Sequence, residues 1–86
     1  MAIRSVATAI HDTTYTKVGD NVTAFSVSEN YVGSILVVVT DPGDSAPSAS
    51  EENRIPVDGS YERYLTAADI WIKTPIGTTT IYGEAS

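Results

Sequence analysis

The side chains in this 86-residue chain that could do acid–base or metal chemistry are few and poorly spaced. His11 and Asp12 are adjacent, but neighbours on an extended segment point to opposite faces and no nucleophile is specified beside them, so His11 reads as a surface residue. Asp41, Asp44, Glu51 and Glu52 fall within one stretch and could surround a calcium ion. Their spacing lacks the alternating ligands of a calcium loop, and Pro47 with Ser and Ala residues intervenes, so a solvated acidic loop is the better reading. The absence of Cys removes thiol catalysis, thiolate metal sites and disulfides. A single His argues against a His-based metal cage. Without a nucleophile–base pair or a ligand set, the chain is expected to be neither an enzyme nor a cofactor or metal binder.

Trp71 carries more information. On a strand over residues 69–74, Ile70 and Ile72 share one face and Trp71 and Lys73 the other. If the isoleucines fill the core, Trp71 lies outside beside Lys73, where it can stack on a sugar or anchor an interface. The alternative puts Trp71 in the core and the isoleucines outside. Tyr15, Tyr31, Tyr61, Tyr64 and Tyr82 could join such a patch, although tyrosines are ordinary residues of half-buried strands. Glu62, Arg63 and Lys73 read as cross-strand surface charges worth little energy.

The elements that position these residues are all extended. The run Ser34-Ile35-Leu36-Val37-Val38-Val39-Thr40 is bounded by Gly33 and by Asp41-Pro42-Gly43, and its β-branched residues suit a pleated surface. Ile35, Val37 and Val39 face one way, Leu36 and Val38 the other, so both faces of this strand should be covered. Residues 22–28 form a second strand with Phe25 and Val27 directed to the core, after a turn at Gly19-Asp20-Asn21. Residues 54–57 and 60–66 read as a hairpin about Asp58-Gly59, with Pro56 marking a short or edge arm. Ala67-Ala68 links to the Trp71 strand, and Pro75-Ile76-Gly77 leads into a closing Thr-rich strand. Residues 41–53 are rich in Pro, Ser, Ala, Gly and acids and cannot form core. The N-terminal stretch lacks a helix cap and good helix formers, and reads as an extended arm or an edge strand. Short strands at intervals of about 8–12 residues predict an all-β fold, a small antiparallel β-sandwich or jelly-roll-like barrel of about six to eight strands. The domain organisation expected is an arm over residues 1–13 followed by a β-sandwich domain over 14–86.

Five basic and eleven acidic residues give a net charge of −6. That repels phosphate backbones and anionic lipid, so neither nucleic acid nor a membrane is expected as a partner. Met1-Ala2-Ile3-Arg4-Ser5-Val6 lacks the apolar core of a signal peptide, and no apolar run reaches transmembrane length. Synthesis in a cytoplasm is expected. A chain of this length builds a marginal core, and without disulfides or metals the remaining aid is association with copies of itself or with a larger surface.

From residue 34 onward the chain resembles small virion proteins of tailed bacteriophages. The resemblance rests on the apolar strand, the Ser45-Ala46-Pro47-Ser48-Ala49-Ser50 loop and the Pro56-bearing strand. It continues through Asp69-Ile70-Trp71-Ile72-Lys73-Thr74 and the closing Gly77-Thr78-Thr79-Thr80-Ile81-Tyr82. Residues 1–33 match it poorly. The resemblance implies a β-sandwich decorating the outer capsid, a cement protein that sits as a homotrimer and bridges neighbouring major capsid protein subunits. It transfers no catalytic residue. The interface expected comprises Ile3, Arg4, Val6, Tyr31, Trp71 and Lys73, with the N-terminal arm adding as a strand to another subunit. The competing expectation is a carbohydrate-binding or adhesin module of a tail fibre or spike, which requires Trp71 and its tyrosines to be exposed.

Overall fold

The computed structural model describes residues 4–28 and 34–86. The expected all-β class holds. Six strands form one antiparallel sheet that curls into a half-barrel, and no helix occurs among the described residues. The strands are β1 (Arg4–His11), β2 (Thr16–Val27), β3 (Ile35–Thr40), β4 (Ile55–Val57), β5 (Tyr61–Lys73) and β6 (Thr78–Ala85). Their order across the sheet is β1-β6-β2-β5-β3-β4. The stretch read as an arm or an edge strand is, over residues 4–11, the edge strand β1, paired along its whole length with β6.

Curling gives the sheet a concave face that closes on its own side chains. Ile10, Ile35, Val37, Ile70, Ile72 and Ile81 are each fully buried there. They arrive from four strands, β1, β3, β5 and β6, so the core is a product of topology rather than of any one segment. Phe25 and Tyr61 extend it, with ring centroids 6.5 Å apart and planes inclined by 55°. Close approach of β6 to β2 requires Gly83: a Cβ there would stand 1.9 Å from the carbonyl oxygen of Ser26.

Three segment readings need correction. Residues 54–57 and 60–66 do not form a hairpin with each other. Gly59 does turn the chain, with φ of 103°, but β4 pairs with β3 and β5 continues on β3's other side. Gly19-Asp20-Asn21 is not a turn between strands, and Ala67-Ala68 is not a link. Both are irregularities inside long strands that face each other, with Asn21 at φ 52° and Ala67 at φ 55°. From the Gly19–Ile70 pair to the Val22–Ala68 pair, β2 advances three residues against two on β5. From there to the Ala24–Tyr64 pair, β5 advances four against two. Such bulges reverse the in–out alternation of the strand that carries them. Tyr61 and Leu65 therefore face the core before Ala67, and Ala68, Ile70 and Ile72 after it.

Candidate functional site

The convex face of the sheet divides into a covered half and an open half. The covered half is built around Asp69, a fully buried carboxylate that β5 carries between Ala68 and Ile70. One oxygen accepts the Asn21 backbone N–H at 2.8 Å, which the β2 bulge presents. The other accepts the Gly43 backbone N–H at 3.0 Å and meets the Lys17 ammonium at 3.2 Å. The Asn21 N–H, then the Gly43 N–H and Lys17, hold the Asp69 carboxyl below the ordinary carboxylate range, against the opposing effect of burial. Burying an anion without partners is prohibitive, so these contacts fix the bulge, the start of the 41–54 connection and β5 to one another.

Trp71 follows two residues on, on the same face. Its indole N–H donates to the Thr40 hydroxyl at 2.9 Å, and the Lys17 ammonium stands 5.1 Å from the ring centroid, within cation–π range. Tyr15, Val38 and Leu36 pack with it in a second, smaller apolar cluster. Burial raises the Tyr15 hydroxyl above its ordinary value, with Arg54 opposing and Glu51 reinforcing that shift. The 41–54 connection is thus tied to this face at its start, by the Gly43 N–H at Asp69.

The open half lies on β6, β2 and the first part of β5. Ser26 pairs with Glu62 on one side and with Glu84 on the other, so three side chains form a row with the acids outermost. Tyr64, in the next row opposite Ala24, is 77% exposed, and its hydroxyl donates to Glu62 Oε1 at 3.0 Å. That bond raises the Tyr64 hydroxyl above its ordinary value. Tyr82 on β6 is 48% exposed. A shallow groove of about 250 Å³ runs between Glu62, Tyr64, Ser26, Glu84 and Ser86.

Of the expected interface residues, Ile3 and Tyr31 lie outside the described residues. Arg4 and Val6 are on β1, paired with Ala85 and Gly83. Trp71 and Lys73 do lie on the face opposite Ile70 and Ile72, as the alternation predicts, but they are only 8% and 9% exposed. The expectation of an outward-facing Trp71 is therefore corrected: the chain's own Tyr15, Val38 and Leu36 cover it. His11 and Asp12 serve local structure, with His11 Nδ1 3.3 Å from the Thr78 hydroxyl and Asp12 accepting the Gly77 N–H at 2.9 Å. Around the 41–53 acids, the backbone makes turns that close on Asp41 and Ser48 carbonyls. Among the described residues no three His, Cys, Asp or Glu side chains gather into a metal-binding group.

Asp69 went unread in the sequence. Its signal is an acid in phase with Trp71 inside an apolar strand, where it requires donors from elsewhere. Gly19-Asp20-Asn21 and Pro42-Gly43 are the segments able to offer free backbone N–H groups. Tyr64 was one tyrosine among five, and only the bulge at Ala67 sets which face it occupies. Compared with protein-family models, curated proteins and solved structures, the chain matches none.

Proposed function

We propose that this chain is a structural virion protein of a tailed bacteriophage, a decoration protein that cements neighbouring major capsid subunits on the outer shell. The observation that carries the reading is the β1 edge. Eight residues pair with β6 on one side, and on the other they face no strand among the described residues; at the far end the His11 carbonyl accepts the Thr74 N–H at 3.1 Å. Such an edge is a template for strand addition from another chain. Ala7 and Ala9 on β1 are exposed and small, so their side chains leave room for a second strand beside this part of the edge. The opposite edge, β4, is three residues long and contains Pro56, which makes it a poor template. The net charge of −6 suits an outer surface better than one against packed DNA. In this reading the protein is made in the host cytoplasm, assembles on the shell as a homotrimer, and needs no nucleic acid, membrane or cofactor. The carbohydrate-binding alternative loses its central ring, because Trp71 is covered.

The test is co-sedimentation with expanded capsids of the encoding phage that lack this protein. The wild-type chain should bind saturably. The double variant Ala7→Lys/Ala9→Lys, which places charge along the edge while leaving the core untouched, should lose at least tenfold in affinity with its melting temperature retained. Failure of the wild-type chain to bind, or equal binding by the variant, contradicts the proposal.

A further inference from the structure

The two halves of the convex face differ in what covers them. The Asp69 and Trp71 half is closed by residues of this chain. The β6–β2–β5 half leaves Tyr64 77% and Tyr82 48% exposed beside Ala24, Ser26, Glu62 and Glu84, around a groove that Arg63 and Ser86 also line. Exposed tyrosines among small residues are the composition of a contact surface, since the ring contributes area at low entropic cost.

We infer that this open sheet face is a docking surface for a cationic protein segment, with an arginine or lysine side chain of the partner seated over Ser26 between Glu62 and Glu84 and against the ring of Tyr64. This rests on the reading of the chain as a docking protein, and adds the chemistry of the surface it meets. Strand spacing places the two acidic residues about 10 Å apart across the row, one strand on each side of Ser26. Two carboxylates reaching inward over that distance leave room for one guanidinium or ammonium group between them. Tyr64 is held beside the same spot by its bond to Glu62, and an aromatic face adds cation–π attraction. A second copy of this chain is a poor occupant, because it would bring the same acidic face to its own. Charge alone does not make the surface: Asp41, Asp44, Glu51 and Glu52 are equally acidic, but no large exposed hydrophobic side chain lies within their stretch.

The experiment is a ¹⁵N–¹H NMR titration of the full chain with a short peptide alternating arginine and threonine, with its glutamate–threonine counterpart as control. The amides of Ser26, Glu62, Tyr64 and Glu84 should shift saturably with the arginine peptide, and less at high salt. Glu62→Gln/Glu84→Gln and Tyr64→Ala should each weaken binding at least fivefold, whereas Asp44→Asn/Glu52→Gln should leave it within twofold. No saturable shift, equal shifts with the glutamate peptide, or equal weakening by the loop variant overturns the inference. The peptide result is independent of any shell. Peptide binding without capsid binding sinks the virion reading and keeps this surface; capsid binding without peptide binding does the reverse.

Discussion

Asp69→Asn is the most informative single substitution. Asparagine retains one oxygen and can still accept from one backbone N–H. Its amide group then points two hydrogens at the remaining donors, Gly43 N–H and the Lys17 ammonium, or at Asn21 N–H if the side chain is flipped. A hydrogen bond to a charged group contributes about 1.5–3 kcal/mol. The Lys17 side chain is 35% exposed, so its share is discounted for solvent screening. The expected loss is about 3 kcal/mol, close to that for breaking a buried pair. For a domain of this size that corresponds to a fall in melting temperature of roughly 12–24 °C. Urea unfolding followed by Trp71 fluorescence at neutral pH measures it. Lys17→Met, which leaves both backbone donors on the carboxylate, should cost about 1 kcal/mol or less. The pH dependence has a defined sign. The folded pKa of Asp69 is depressed, so its contribution is fully present above the unfolded value, near 3.8, and is lost as pH falls from there through the lower folded value. The wild-type curve should therefore drop in acid more steeply than that of Asp69→Asn. A loss below about 1 kcal/mol at neutral pH, or parallel acid curves, would refute the assignment of Asp69 as the anchor of the bulge and the 41–54 connection.

Other substitutions probe the backbone. Gly83→Ala should prevent folding or displace β6, because the added methyl meets the Ser26 carbonyl group and Val27 Cα, which are backbone and cannot swing aside; a melt within a few degrees of wild type would contradict that packing. Ala67→Gly should stabilise by about 1 kcal/mol, since glycine adopts the left-handed conformation at φ 55° without the Cβ clash, as read from a shift of the urea midpoint. Trp71→Phe removes the bond to Thr40 and part of the contact with Lys17, and should cost about 1–2 kcal/mol in chemical denaturation, leaving the Thr40 hydroxyl without its donor.

Alternation was the part of the fold open to reading from sequence. The opposite facing of Ile70 and Trp71, the core positions of Phe25, Val27, Ile35 and Val37, and the turn at Gly59 all follow from period-two patterning and glycine chemistry. Partner choice was not open to reading. Asp58-Gly59 looked like a hairpin turn, yet β4 joined β3, because nothing local tells a strand which neighbour will lie beside it. The same reason hides the bulges: Gly19-Asp20-Asn21 alone reads as a turn and Ala67-Ala68 as a link, and both become bulges only when opposed. Alternation sets the face that Trp71 occupies but not what covers it. What covers it includes Tyr15, which lies more than fifty residues away in sequence, just before β2.

If the chain decorates a capsid as proposed, β1 completes its hydrogen bonding against a shell subunit. Electron cryomicroscopy of the purified virion of the encoding phage tests it most directly. The account predicts three copies grouped on the outer surface, with a strand of the major capsid protein continuous with β1. Virions lacking the chain on the outside of the shell, or carrying it with the β1 edge turned to solvent, would contradict it.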